Sequence, residues 1–161
     1  MAKKEEKTNV MRVLEQKQIP YTAHTYPADG PTDGVSVANY LHQDVEQVFK
    51  TLVTKAASGI HYVFDIPVAE NLDLKKAAKA VGEKSIAMIP QKELLPLTGY
   101  VHGGCSPVGM KKQFHTVFHE TVILFDTICV SAGKIGAQVE VAPDALIALL
   151  GADTADVVVE A

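Results

Sequence analysis

The chain has 161 residues, 47% of them hydrophobic, with fifteen Lys and Arg against nineteen Asp and Glu for a formal net charge of −4. That length suits one domain able to bury roughly 70% of its unfolded surface, which excludes general disorder and any need for a metal or disulfide staple. Net acidity excludes a protein that grips DNA or RNA along a broad face, because phosphate neutralisation needs clustered Lys and Arg.

Residues 1–7, Met1-Ala2-Lys3-Lys4-Glu5-Glu6-Lys7, read as a charged, flexible tail, and residues 8–161 as the folded domain. Thr8 caps a helix to about Gln18 whose apolar face is Val10, Met11, Val13 and Leu14, and Ile19-Pro20 ends it. Tyr21 to Tyr26 reads as a short strand and the turn-rich Pro27 to Gly34 as a loop. Ser36 is expected to cap a helix through Leu41, and Asp44 a second through Phe49. The apolar runs Thr51 to Ala56 and Ile60 to Ile66, split by Ser58-Gly59, predict a hairpin. Asn71 or Asp73 starts a helix over Leu74 to Val81, which Gly82 stops. Ser85 to Ile89 is strand-like, Pro90 to Leu95 a helical turn, and Gly99 to Gly109 a second glycine-rich loop. His115 to Phe118, Thr127 to Ser131 and Val139 to Ala142 are strand candidates, with Thr121 to Phe125 ambiguous. Pro143 opens a helix through Leu150, and Ala155 to Val159 is a final strand. Strand pairs adjacent in sequence, interleaved with helices, favour an α/β fold with a mixed sheet.

No apolar run approaches the ~18 residues of a membrane span, and none follows the charged N-terminus, so no signal peptide is expected. The two cysteines, Cys105 and Cys129, are too few for a secreted disulfide scaffold. The expectation is a cytoplasmic protein with reduced thiols.

The least ordinary stretch is Gly99-Tyr100-Val101-His102-Gly103-Gly104-Cys105-Ser106-Pro107-Val108-Gly109, with four glycines and a proline in eleven residues. Such a backbone lets N–H groups approach a ligand and turn toward one point, which suits an anion or a polarised carbonyl; a plain connecting loop has the same composition. Lys50, at the mouth of an apolar run, is either a snorkelling edge residue or a partly desolvated charge placed for use. Lys75, Lys76 and Lys79 share a helix face, and with Lys84, Lys111 and Lys112 they form either a solvated surface or a phosphate track. Cys105 near His102 could pair as a nucleophile and base, although no third orienting group is evident. His115 and His119 are four residues apart and could share a face and a zinc ion, but they lack the internal Glu of the H-E-x-x-H motif.

Read together, these segments resemble the YbaK/EbsC family of aminoacyl-tRNA deacylases, kin of the editing domain of bacterial prolyl-tRNA synthetases. The resemblance is carried in family order by His24-Thr25-Tyr26, Gln47-Val48-Phe49-Lys50-Thr51-Leu52, Pro67-Val68-Ala69, Leu72 to Ala80, Thr98-Gly99-Tyr100 through Gly109, Lys111-Lys112 and Val130-Ser131-Ala132-Gly133-Lys134. It implies a single compact α/β domain whose mixed, strongly curved, barrel-like sheet is surrounded by helices. It implies cleavage of mischarged tRNA, chiefly Cys-tRNA(Pro), with Cys-tRNA(Cys) or Ala-tRNA(Pro) as other substrates and a non-catalytic tRNA-binding protein as the rival outcome. The essential lysine falls on Lys50 and the pocket-lining glycine on Gly103, with Gly104, Ser106 and Pro107 shaping the loop and Tyr26 in the pocket. Backbone N–H groups of Gly103 and Gly104 are the candidate oxyanion donors, and Lys75, Lys76, Lys79, Lys111 and Lys112 the candidate tRNA contacts. An acid near the pocket of relatives is replaced by Gln138 here, which can hydrogen-bond without charge. Asp33 stands where relatives carry an aromatic. The implied partners are the 3′ end of an aminoacylated tRNA and prolyl-tRNA synthetase, with no cofactor, metal, DNA or membrane. Cys105 becomes a wall residue.

Overall fold

The computed structural model describes residues 7–160. Residues 1–6 of the expected tail lie outside them, and Lys7, at its inner end, pairs with Glu15 at 2.6 Å. The first helix, α1 (Asn9–Gln16), starts where Thr8 Oγ1 accepts the Met11 N–H, and it buries Val10, Met11 and Leu14. Strand β1 (Tyr21–Thr25) follows, then α2 (Gly34–Tyr40).

The cap of α2 is Asp33 and not Ser36. Asp33 Oδ1 accepts the Ser36 N–H at 2.9 Å and Oδ2 accepts the Ser36 hydroxyl at 2.7 Å. A carboxylate outcompetes a hydroxyl for the free N–H groups of a first turn because it carries full charge, and those two bonds hold Asp33 below the usual carboxylate range. The helix expected from Asp44 to Phe49 is absent. Gln47 is instead tied to the following sheet, its side-chain amide donating to the Thr127 carbonyl and its own carbonyl accepting the Cys129 N–H.

The hairpin forms as β2 (Phe49–Ala56) against β3 (His61–Pro67), antiparallel, with Lys50 opposite Ile66 and Thr51 opposite Asp65. Asp73 caps α3 (Leu74–Val81), and Gly82 ends it in the left-handed conformation. Then come β4 (Ile86–Met88), a 3-10 turn at Gln91–Glu93, α4 (Leu94–Thr98) and the glycine loop, followed by β5 (His115–His119). The ambiguous segment settles as a 3-10 turn, Glu120–Leu124. The last elements are β6 (Ile128–Ser131), β7 (Ala137–Val141), α5 (Pro143–Leu150) and β8 (Asp153–Ala155). The expected final strand thus starts two residues earlier and already ends at Ala155. Beyond Ala155 the chain leaves β5 and closes over the start of α3, where Asp73 N–H donates to Val157 O and Leu72 bridges Val158.

The strands build two sheets. One is antiparallel, in the order β1-β7-β6; the other is mixed, in the order β4-β2-β3-β5-β8, with β3, β5 and β8 parallel. The mixed pairing agrees with the sequence, whereas the barrel-like closure does not occur among the described residues. Among the described residues, an isolated β-bridge, Val48 to Cys129, links the two sheets.

The main core fills the space between the sheets: Phe49, Val53, Val63 and Phe118 on one side, Ile128, Val130, Val139 and Val141 on the other, closed by α1 and Leu146 of α5. The opposite face of the five-stranded sheet packs Tyr62, Phe64, Ile66 and Val117 against Ala77 and Ala78 of α3. Each large side chain buried this way contributes roughly 1.5–3 kcal/mol. Two alanines let α3 lie close to the sheet, so its lysines occupy the outer face.

Candidate active site

At the start of β2, where the two sheets part, lies a cavity of about 360 Å³, a size suited to a small ligand. Its floor is Phe49, Lys50, Thr51 and Leu52; α2 contributes Gly34, Val35 and Val37; the glycine loop contributes His102, Gly103 and Cys105; and Val130, Ser131 and Gln138 come from the antiparallel sheet, with Tyr26 beside them. Among the residues singled out from sequence, Lys50, Tyr26, Gly103 and Gln138 meet on this wall.

Lys50 is half-buried. Burial pushes its ammonium below the ordinary lysine value, and the charge of Glu70 pulls it partly back. A cation short of water at a cavity wall is a strong partner for an anion or an oxygen gaining negative charge. Tyr26 is fastened by its N–H, which donates to Gly136 O at 2.9 Å.

The glycine loop is a braced structure. The Tyr100 hydroxyl donates to Val108 O at 2.5 Å and Val108 N–H donates to Ser106 Oγ at 3.3 Å. Ser106 and Pro107 are buried inside the loop and shape it from behind the cavity wall. Gly103 reaches the cavity with φ 88°, a left-handed conformation that favours glycine. Gly104 is required for a different reason: a Cβ there would stand 3.1 Å from the Lys134 and Ile135 backbone. Its N–H donates to Val101 O at 3.0 Å. The expectation that Gly104 offers a donor to a ligand is therefore corrected, because that hydrogen is spent within the loop.

Cys105 lines the cavity as a wall residue. Burial, reinforced by the nearby Asp65 carboxyl, pushes its thiol up to about 12, which is opposite to what a nucleophile needs. His115 and His119 lie on strand β5, where four residues span about 13 Å, too far for one ion. Their rings face Asp153 and the Val157 N–H respectively.

Behind Gln138 lies a polar network that the sequence did not announce. Gln43 Nε2 donates to Gln138 Oε1 at 2.8 Å, His24 and Glu140 are joined at 2.7 Å, and Thr127 donates to the second Glu140 oxygen at 2.5 Å. Among the described residues, His24, Cys129 and Glu140 alone bring three potential metal donors within 4.8 Å of one another. Both carboxylate oxygens of Glu140 already accept hydrogen bonds there, from His24 and Thr127, while the Gln138 side chain is held by Gln43. Alternation along paired strands could have found it, since His24 faces Gln138 and Cys129 faces Glu140.

The candidate tRNA contacts stand off the cavity. Lys75 and Lys79 are exposed on α3; Lys76 is held by Asp156 at 2.9 Å and by Val158 O. Lys111 and Lys112 are exposed beyond the glycine loop, with the Lys111 stem lying over Gly99. No helix of the described residues is long and apolar enough to cross a membrane.

Comparison with known proteins bears on the family and the fold. Residues 32–149 match the family model described as an aminoacyl-tRNA editing domain. The chain is 43% identical over 160 residues to the "Putative Cys-tRNA(Pro)/Cys-tRNA(Cys) deacylase EbsC" of Enterococcus faecalis, covering 98% of each protein. It superposes with a TM-score of 0.82 and 26% identity on a crystal structure described as "a putative trans-editing enzyme for prolyl tRNA synthetase", covering 94% of this chain and 95% of that one. A hypothetical protein at 21% identity shares the fold with a TM-score of 0.85, over 93% of this chain and 99% of its own. With a family model spanning most of the chain and a relative alike along its whole length, this protein belongs to the YbaK/EbsC family of aminoacyl-tRNA editing domains.

Proposed function

We propose that this protein is a cytoplasmic trans-editing deacylase that removes cysteine from Cys-tRNA(Pro) by letting the substrate's own thiol cleave its ester. The observation that carries this reading is the meeting of Lys50 and Gly103 on one small cavity whose only thiol is held neutral.

An aminoacyl ester is already activated, so the protein has little to add beyond position and charge. The substrate thiol attacks the ester carbonyl, forming a carbon–sulfur bond. The carbon–oxygen bond to the terminal ribose then breaks, and the thiol proton ends on the freed ribose hydroxyl. The products are a cyclic thiolactone and uncharged tRNA. Holding the thiol against the carbonyl removes the entropic cost of bringing two groups together. Lys50 and the Gly103 N–H stabilise the oxygen as its charge grows; a donor of this kind is worth roughly 3 kcal/mol. Tyr26 and Gln138 fix the aminoacyl group by contact and hydrogen bonding. Lys75, Lys79, Lys111 and Lys112 meet the tRNA backbone, and prolyl-tRNA synthetase supplies the tRNA selectivity that few contacts cannot.

The test is release of cysteine from charged tRNA(Pro), with and without the synthetase, by wild type and Lys50→Ala. Equal rates for the two would remove Lys50 from the mechanism. Cleavage of Ala-tRNA(Pro) as fast as Cys-tRNA(Pro) would replace the substrate thiol by water. Salt-sensitive tRNA binding without turnover would make the protein a carrier of the fold and not an enzyme.

A further inference from the structure

Asp65 stands in mid-strand on β3, opposite Thr51 of β2, with its side chain on the same face. It is 0% exposed, while Thr51 is half-buried and lines the cavity. Thr51 Oγ1 and Asp65 Oδ1 are 2.5 Å apart, and Asp65 Oδ2 has no hydrogen-bond partner among the described residues. The neighbour on β5 is Phe118, which is apolar. The glycine loop brings Cys105, whose thiol stays neutral. Lys50 adjoins Thr51 on β2, and the charge it answers to is that of Glu70. Asp65 is thus a carboxyl with a single hydrogen-bond partner, and that partner is a wall of the site.

We infer that Asp65 acts as a positioning residue that sets whether the Thr51 hydroxyl presents a hydrogen or a lone pair to the substrate. The inference rests on the deacylase reading for what the hydroxyl acts upon, though not for the pairing itself. When Asp65 is ionised, the Thr51 O–H has to donate inward, and only oxygen lone pairs face the cavity. When Asp65 takes a proton from solvent, its own O–H can donate to Thr51 Oγ1, and the Thr51 hydrogen is released to swing outward. One added proton thus re-aims two hydrogens.

An ionised carboxylate with a bare oxygen away from water is costly. Burial accordingly raises Asp65 to about 7, with the Thr51 bond opposing the rise. The neutral form, which offers a donor to an oxygen gaining negative charge, is the productive one. The ionised form withdraws that donor.

The test measures single-turnover release of cysteine from Cys-tRNA(Pro) between pH 5.5 and 8.5 for wild type, Asp65→Asn, Thr51→Ser and Thr51→Val, with the Asp65 carboxyl carbon followed by NMR in the free proteins. Asn cannot ionise, so the ratio of Asp65→Asn to wild-type rates should climb through neutrality by roughly three- to tenfold, the worth of one net hydrogen bond. Thr51→Ser should keep the wild-type profile, and adding Asp65→Asn to Thr51→Val should give a ratio flat with pH. The carboxyl carbon should titrate near neutrality and move to higher pH in Thr51→Val. A pH-independent ratio in the wild-type background, or a carboxyl midpoint near 4, overturns the inference. If wild type cleaves no charged tRNA, the deacylase reading alone falls; the carboxyl midpoint and its response to Thr51→Val then decide whether the pairing works as described.

Discussion

Lys50 faces Ile66 across the β2–β3 ladder, and Ile66 is completely buried. Opposed side chains in such a pair lie about 5 Å apart on one face of the sheet, so the lysine stem runs over an apolar surface before its ammonium reaches the cavity. This is why the charge is partly stripped of water. Replacing Lys50 by Ala should lower kcat/KM for Cys-tRNA(Pro) by about a hundredfold, the typical cost of losing one pre-aimed charge or donor. Circular dichroism should show an intact fold. Lys50→Arg should recover little, since a planar fork cannot occupy the place of a compact ammonium.

Cys105 lies within the same cavity, and its thiol is held neutral by burial and by Asp65. Cys105→Ala should therefore retain activity to within about twofold, because no covalent enzyme intermediate passes through it. Mass spectrometry of a quenched reaction should find no cysteinyl adduct on the protein. An adduct, or complete loss of activity, would restore the nucleophile reading.

The lysines of α3 are not equivalent. Lys76 is engaged by Asp156 and by the Val158 carbonyl, whereas Lys75 and Lys79 are exposed on the same helix. Lys75→Glu and Lys79→Glu should each raise KM for charged tRNA and flatten its salt dependence, leaving the limiting single-turnover rate unchanged. Lys76→Ala should act mainly on stability, by freeing the segment after β8. Filter binding at two salt concentrations separates the two effects.

Asp65 also links stability to pH. Its folded value of about 7 exceeds the unfolded value of about 3.9, so the folded state holds this proton more tightly. The contribution is full below about pH 4, declines as pH rises, and is lost above about pH 7. Urea melts of wild type and Asp65→Asn should therefore diverge with rising pH, the variant gaining on the order of a few kcal/mol relative to wild type by pH 8.

Phe64 is completely buried against α3, on the face of the five-stranded sheet that also carries Ile66. Phe64→Ala should cost about 3–5 kcal/mol and shift the urea midpoint without changing its slope.

Much of this was legible in the sequence, for identifiable reasons. The β2–β3 hairpin, α3 with its Asp73 cap and Gly82 stop, and α5 behind Pro143 all follow from local turn and capping chemistry. Local rules failed where distant partners decide. Ser36 looked like a cap until Asp33 offered a carboxylate to the same N–H. The segment from Asp44 to Phe49 looked helical until Gln47 found Thr127 and Cys129 eighty residues on. At the site, the residues themselves flagged Lys50 and the glycine loop that holds Gly103, whereas Tyr26 and Gln138 followed only from the family resemblance. The network of Gln43, His24 and Glu140, and the Thr51–Asp65 pair, depend on strand register, which no single segment reveals. Asp65 reads from sequence as a polar interruption in an apolar strand, and that interruption was the one available signal.

Strand β1 pairs with β7, and His24 reaches Glu140 across 116 residues of chain. Tyr26 and Gln138 therefore come together on one wall only after almost all of the intervening polypeptide exists. Long-range closure of this kind is slow relative to hairpin or helix formation. During synthesis, Lys50 and the hairpin that carries it can assemble early, yet the chamber around them stays open until β7 has emerged. A nascent chain stopped short of Ala137 would hold Lys50 without the enclosure that the antiparallel sheet completes.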